Sequence, residues 1–448
     1  MLSRRHLLTG LAATGAVGTA AACSPSSGGS GGSGGKDSGS GDEKTLTFRL
    51  WDEAAKAAYE KSFKDFEKDS GWKVTIDVVA WDDYWTKLPL DVASGEAPDV
   101  YLMNSANYVQ FQQAGDLVAI DDAVSEGQGS WEKAVVDLYT REGKLWGVPQ
   151  LWDSIALFYN KKLLEAEKID PSDLSFDPSA KSDPLREAGR ALTLDGEGRH
   201  PDDKGFDPDS RSQFGFNSSA DRQAIIGPFL ASNGAEWEDD KDKYAFASKE
   251  GVEVFQYLAD LVNKDHIAPD AADTNDNGDL TRDLFAQGKL ALFQSGPYSL
   301  SAIEEGVGDS FEWGIAPMVS GPAGAKSLVH GVVAVGNAKA EDEKKDGISK
   351  LLTWLGSADG QRPLGEMGVS FPGNADVQDA FVDYWKDKGQ DVTPFIDAAK
   401  DPAPADTGTK ANAGLTAATP IFQEIFIGRK SAKKGLPEAQ KAGNDAMS

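Results

Sequence analysis

From Lys44 onward the chain alternates short apolar strands with amphipathic helices, and that alternation limits the fold more than any other feature. Leu46-Thr47-Phe48-Arg49-Leu50 reads as a strand. A helix follows over 56–68, with Tyr59, Phe63 and Phe66 at helical spacing, and Asp69-Ser70-Gly71 stops it. Val74, Ile76 and Val78 alternate in a second strand. The helix over 82–93 turns Trp85, Leu88 and Val92 inward and closes at Gly95, and Asp99-Val100-Tyr101-Leu102-Met103 is a third, nearly continuous apolar strand. Strands separated by helices of 10–15 residues pair in parallel, which predicts an α/β sheet with helices on its faces. A second alternating region runs from Ile155 to Phe311, interrupted by a polar stretch over 170–212 that reads as a surface excursion. Further strands are expected over 314–318 and 329–335, a helix over 344–355, and a mostly helical final third that includes 420–426.

Upstream of this body lies a leader. Ser3-Arg4-Arg5-His6 precedes an apolar run over 7–22, the pattern of a twin-arginine export signal, and the run is too short to span a bilayer as a helix. Ala20-Ala21-Ala22-Cys23 resembles a bacterial lipobox, with Ala20 where Leu is usual, so residues 1–22 are expected to be cleaved and Cys23 to carry lipid. An ordinary secretory signal with an incidental cysteine is the alternative. Residues 23–43 are Gly/Ser-rich; about 20 such residues reach roughly 25 Å on average. Cys23 is the only cysteine, so no disulfide forms within the mature chain and packing alone must hold it. Loss of Arg4 and Arg5 takes the formal charge from −27 to −29. That balance argues against a nucleic-acid partner, whose phosphates call for Lys and Arg. The 11 Trp, 20 Phe and 10 Tyr are enough for large cores.

Several segments together resemble one family. "YEKSFKDFEKDSGWKVTIDVV" over 59–79, Ala97-Pro98-Asp99-Val100-Tyr101, Gly143-Lys144-Leu145-Trp146-Gly147-Val148-Pro149 with Tyr159-Asn160-Lys161, and Phe285-Ala286-Gln287-Gly288-Lys289 with Gly296-Pro297-Tyr298 occur in the order and spacing of the solute-binding proteins of carbohydrate ABC importers, in the branch of maltose-binding protein. The resemblance implies a two-lobe, type II periplasmic-binding-protein-like α/β fold. Mapped here, the first lobe takes 44–152 and 315–369 and the second 153–314 and 370–448, with crossings near Asp153, Gly314 and Ser370. It also implies a lipid-tethered, monomeric protein outside the cytoplasmic membrane, which traps a sugar between its lobes and delivers it to the permease subunits.

A sugar offers hydroxyls and C–H ring faces, so its site calls for aromatic planes and fixed polar side chains. The carboxyl ends of parallel strands open the ligand crevice. Trp51 and Asp52 follow the first strand there, Trp81 the second, and Asn104 and Asn107 the third. Each has a plain alternative: a packed Trp, a helix-capping Asp or loop-capping Asn side chains. Trp85 reads as core. Trp152 and Asp153 fall at the first crossing, where the resemblance implies an acidic ligand contact. Arg222 and Gln223 align loosely with a ligand loop of the second lobe, although Ala224 replaces the aromatic expected there. Tyr298 takes the place of the family's stacking Trp. His330-Gly331 lies in the region expected to line the cleft, and a structural role for His330 is the alternative.

Catalytic motifs are missing from the body of the chain: beyond the Gly/Ser linker no HExxH, GxSxG, GxxxxGK[ST] or CxxC occurs. No cofactor is expected. A carboxylate pair suited to glycoside hydrolysis stays open on counting alone, as does a non-sugar ligand or an adhesion role. Asp273-x-Asn275-x-Asn277-Gly278 starts like a calcium loop but has Leu284 at the twelfth position, which defeats it. Asp195, Glu197, Asp202, Asp203, Asp207 and Asp209 form an acidic stretch open to calcium or to plain solvation.

Overall fold

The computed structural model describes residues 44–124, 127–239, 242–404 and 410–448. The leader, Cys23 and the linker over 23–43 lie outside these residues.

Strand β1 (Thr45–Leu50) buries Leu46, Phe48 and Leu50 completely. Helix α1 (Glu53–Ser70) starts where the Asp52 carboxylate accepts the Ala54 N–H at 2.8 Å, and it ends at Gly71, whose φ of 73° suits glycine. Its apolar stripe packs on the sheet, with the Tyr59 and Phe63 rings 4.8 and 5.2 Å from Phe48. Strand β2 (Lys73–Val78), helix α2 (Trp81–Ser94) and strand β3 (Val100–Asn104) follow, and β1 pairs in parallel with both β2 and β3. The parallel start expected from the alternation is therefore present. On the opposite face of β1, the Arg49 guanidinium bonds Asp77 of β2 at 2.7 Å and Asp91 of α2 at 2.6 Å. A buried cation with two carboxylate partners fixes α2 against the sheet edge.

Strands β4 (Thr140–Arg141) and β5 (Lys144–Leu145) form a small hairpin, and β6 (Val148–Asp153) enters the first sheet. The second sheet takes β7 (Ala156–Asn160), β8 (Leu194–Asp195), β9 (Arg211–Phe216), β10 (Leu290–Ser295) and β11 (Trp313–Ala316). The chain then returns with β12 (His330–Gly336) and β13 (Phe371–Pro372). The orders are β13-β6-β12-β3-β1-β2 and β11-β7-β10-β9-β8. Ile315 and Ala316 thus belong to the second sheet and Phe371–Pro372 to the first, one strand away from the lobe bounds mapped on the sequence.

The three passages between sheets are bonded to one another. The Ser154 hydroxyl donates to the Phe395 carbonyl at 2.6 Å, and the Ile155 N–H donates to the Ser327 Oγ at 2.8 Å. Both serines are fully buried.

The polar stretch over 170–212 departs from the surface excursion expected of it. It contains a helix, Pro184–Ala191, which with Leu192 buries Leu185 and Leu192 in the second core. Its charges are met from afar: Arg186 and Arg190 bond Asp265, and the Tyr257 hydroxyl donates to Asp183 at 2.9 Å. Satisfied partners remove the penalty that would have kept these side chains outside. The C-terminal helices Ala411–Phe426 and Ala432–Ala446 pack on helix Lys249–Asn263, with Phe422 4.9 Å from Phe255.

Candidate functional site

Strand direction decides which side chains meet. β12 is antiparallel to both β3 and β6, so β6 runs with β1, β2 and β3. The residues after β1, β2, β3 and β6, and those at the start of β12, therefore share one edge. In the second sheet β9 and β10 are parallel to each other and antiparallel to β7. Their carboxyl ends lie where β7 begins, and β7 begins three residues after Asp153. The carboxyl edges of both sheets thus meet at the hinge, where α/β sheets open their crevices.

The first-lobe wall is aromatic. The Trp51 ring lies 5.2 Å from Trp81, 5.1 Å from Tyr84 and 5.5 Å from Trp85, and Trp81 lies 5.4 Å from Trp85. The Tyr84 hydroxyl is anchored to the Leu102 carbonyl at 2.6 Å, while Trp81 keeps 48 % of its surface open. Trp85, read as core from its helix phase, is a half-buried member of this cluster, and its indole N–H has no hydrogen-bond partner. Asp52 caps α1, as its alternative reading had it. Asn107 donates to the Asn104 side chain at 2.8 Å, so the two amides are turned toward each other.

At the hinge, Asp153 and His330 face each other across β6 and β12. The Asp153 Oδ1 and the His330 Nε2 are buried without hydrogen-bond partners. Burial pushes the Asp153 carboxyl up to about 8. Burial, then the Arg222 charge, pushes His330 down to about 3. Both groups are therefore neutral near pH 7. Their neighbours in sequence turn elsewhere. Trp152 stacks on Phe371 of β13, with centroids 4.8 Å apart and planes at 24°. A Cβ on Gly331 would come within 2.7 Å of Val135, so that glycine serves the close packing of helix Lys133–Tyr139. The ligand-facing placement expected for Trp152 and Gly331 is replaced by these packing contacts, because alternate residues of a strand point to opposite faces.

The second-lobe wall is polar. After β9, Asp221 caps a π-helical turn over Arg222–Ile226 by accepting from the Gln223 and Ala224 N–H groups at 2.7 and 3.0 Å. Such turns recur at functional sites. The Arg222 guanidinium lies over the Trp237 ring, 3.7 Å from its centroid, and Gln223 is half-buried. Tyr298, just after β10, keeps 47 % of its surface open. Even so, the protein around it, with Asp221 and Asp153, holds its hydroxyl well above the ordinary phenol range. Asp221 and Trp237 were missed in the sequence; a carboxylate just before a helical turn at a strand's carboxyl end was the available signal for Asp221.

In the acidic stretch, both Asp195 oxygens are engaged by protein donors: Oδ1 by the Glu197 and Arg199 N–H groups, Oδ2 by the Arg199 Nε at 2.7 Å and the Asp207 N–H at 3.1 Å. The arginine supplies the positive charge that a cation would have brought. Among the described residues no cluster of three or more His, Cys, Asp or Glu side chains has the arrangement of a metal site.

Two α/β lobes joined by three bonded passages, with a cleft at the facing carboxyl edges, define a type II periplasmic-binding-protein fold. The model of the bacterial extracellular solute-binding protein family matches residues 51–362, and the chain belongs to that family. The crystal structure of UspC from M. tuberculosis is similar over 90 % of this chain and 100 % of its own, with 39 % identity and a TM-score of 0.75. A maltooligosaccharide ABC transporter solute-binding lipoprotein of Streptococcus pneumoniae is 24 % identical over 90 % of this chain and 89 % of its own. The Listeria monocytogenes ABC substrate-binding protein Lmo0181, solved with cycloalternan, shares the fold at a TM-score of 0.76 and 19 % identity, over 91 % of this chain and 99 % of its own.

Proposed function

We propose that this protein captures a carbohydrate outside the cell and presents it to the permease of an ABC importer, without chemical change. The observation that carries the reading is the pairing of an aromatic cluster, with Trp81 its open ring, at the carboxyl edge of the first sheet with a polar group around Tyr298 at the carboxyl edge of the second. Aromatic planes accept the C–H faces of a pyranose, and the neutral Asp153–His330 pair and Gln223 supply donors and acceptors for its hydroxyls. The relatives named for sugar binding support the ligand class. A ligand that touches both walls binds the closed form better than the open one and so shifts the population toward closure. We further place the protein on the outer face of the cytoplasmic membrane as a monomer tethered through lipid on Cys23. Among the described residues no helix is long and apolar enough to cross a membrane.

The test is a thermal-shift screen over mono-, di- and trisaccharides, in which stabilisation grows as RT ln(1 + [L]/Kd). A melting shift with one sugar class and recovery of that sugar unaltered are expected. Hydrolysis of the sugar at enzymatic rates would falsify the carrier reading.

A further inference from the structure

The start of β12 is the place where the first sheet comes apart. The ladder between β12 and β3 ends at Val332, whose partner is Asn104, while Gly331 and His330 continue on β6 alone, opposite Trp152 and Asp153. Where two strands separate inside a protein, the carbonyls along the gap need donors from elsewhere, since a buried acceptor left unmet carries a penalty. One side chain supplies them here. The Tyr139 hydroxyl donates to the Gly331 carbonyl of β12 at 2.6 Å and to the Met103 carbonyl of β3 at 3.0 Å, a single proton shared between two acceptors.

Tyr139 ends helix Lys133–Tyr139 and is fully buried, so no ligand touches it. Burial, then the neighbouring Tyr108 and Asp153, holds the phenol well above its ordinary range, and it keeps its proton near pH 7. Its ring packs on Tyr108 at the start of helix Tyr108–Gln113, with centroids 4.8 Å apart. Each of these three partners stands next in sequence to a residue of the candidate site. Met103 precedes Asn104, Tyr108 follows Asn107, and Gly331 follows His330. Val135, one turn earlier on the same helix, closes on Gly331 so tightly that a Cβ there would come within 2.7 Å. One short helix thus braces the ends of β3 and β12 and the turn after β3.

We propose that Tyr139 is a positioning residue of the sugar site: its hydroxyl clamps the ends of β3 and β12 and so sets where His330, Asn104 and Asn107 stand toward a bound sugar. The proposal rests on the carbohydrate reading above and adds a residue that acts on the sugar only through others. Tyr139→Phe keeps the ring and removes the clamp. Tyr59→Phe is the control, because the Tyr59 hydroxyl is equally buried and donates to Gln150 at 3.2 Å from helix α1. Wild type and both variants are compared in melting temperature, in calorimetric titration with glucose, galactose, mannose, N-acetylglucosamine, maltose and maltotriose, and in the NMR titration of the His330 ring without sugar. That ring faces Asp153 across the strands and feels the Arg222 charge, so it reports the geometry at this point whatever sugar is carried.

Both variants should melt a few degrees early, since each loses a buried hydrogen bond. Tyr139→Phe alone should weaken the best-bound sugar by about tenfold or more, because small misplacements of contacting groups are costly. It should also move the His330 titration upward from about 3 toward 6.5, as the loosened strand end admits water to the ring. Tyr59→Phe should keep the sugar affinity within about twofold and the His330 titration in place. For Tyr139→Phe, an affinity within about twofold of wild type, or an unmoved His330 titration, overturns the positioning role and leaves the carrier reading standing. A wild type that binds no sugar of the panel overturns the carrier reading and, with it, the role of Tyr139 in sugar binding. If Tyr139→Phe does not fold, Val135→Ala, which loosens the same helix against Gly331, is measured in its place and the same two results decide.

Discussion

The two walls of the cleft are made of different materials. On the first lobe, Trp51, Trp81, Tyr84 and Trp85 form a contiguous ring cluster in which the polar atoms are few and the shape is set by mutual packing. On the second, Asp221, Arg222, Gln223 and Tyr298 stand on a π-turn and a post-strand loop, held by hydrogen bonds and one cation–π stack. The first offers surface with little directional demand, and the second offers direction with little surface. A ligand resting on one wall alone would gain area or orientation, and only closure supplies both.

The contrast can be broken first at its foundation. Arg49 holds α2, and with it most of the ring cluster, to the sheet. Arg49→Ala leaves the mostly buried Asp91 carboxylate with only the Lys87 ammonium, 3.7 Å away, and should cost up to about 3–5 kcal/mol in chemical denaturation, with sugar binding lost even where the fold survives. An unchanged midpoint would mean that ring packing alone holds the wall. On the opposite side, Tyr298→Ala should weaken binding by about 1–3 kcal/mol without moving the melting temperature of the ligand-free protein. If Tyr298→Ala melts early but binds normally, the residue belongs to the core and the polar wall loses its exposed ring.

The hinge between the walls is read by pH. Asp153 titrates near 8 when folded against an ordinary value of 3.8, so the folded state holds a proton that the unfolded chain has released, and its contribution declines as pH rises from about 4 to 8. His330 titrates near 3 against 6.5, so its contribution is complete above pH 6.5 and is lost as pH falls toward 3. The two slopes oppose each other from about pH 4 to 6.5, and only that of Asp153 remains from 6.5 to 8. Ligand-free wild type should therefore lose stability across pH 6.5–8, by at most about 1.4 kcal/mol per pH unit from this group. Asp153→Asn should flatten that loss, and an equal loss in the variant would show that the carboxyl is not held neutral. The smallest effect is expected at Trp81→Ala, about 0.5–1.5 kcal/mol in affinity, because three other rings remain in the cluster. A larger loss there than at Tyr298 would reverse the assignment of roles.

The first lobe was the more legible in sequence, for a local reason. Its elements are announced by neighbours: the Tyr59-Phe63-Phe66 stripe, the glycines at 71 and 95, and alternation through Ile76. Residues just past the carboxyl ends of the parallel strands then follow from strand direction alone, as Trp51 and Trp81 do. What escaped depends on partners far along the chain. The buried helix at 184–191 carries its charges inside because Asp265 and Tyr257 meet them. Trp51-Asp52 and Trp152-Asp153 look alike on paper, yet the first pair gives a half-buried ring and a helix cap, while the second gives a fully packed ring and a desolvated carboxyl. Phe371, more than two hundred residues later, makes that difference. The π-turn at 222–226 likewise has no local spelling.

Ser154 and Ser327 have a mechanical consequence. Three strips of chain that might flex separately are pinned together at two fully buried hydroxyls, so they behave as one axle. An axle permits rotation and suppresses slippage, and a receptor restricted to swinging has few shapes to offer a transporter: ajar, or shut. The message it carries to the membrane is then close to a single bit, renewed at the microsecond-to-millisecond pace of such swings.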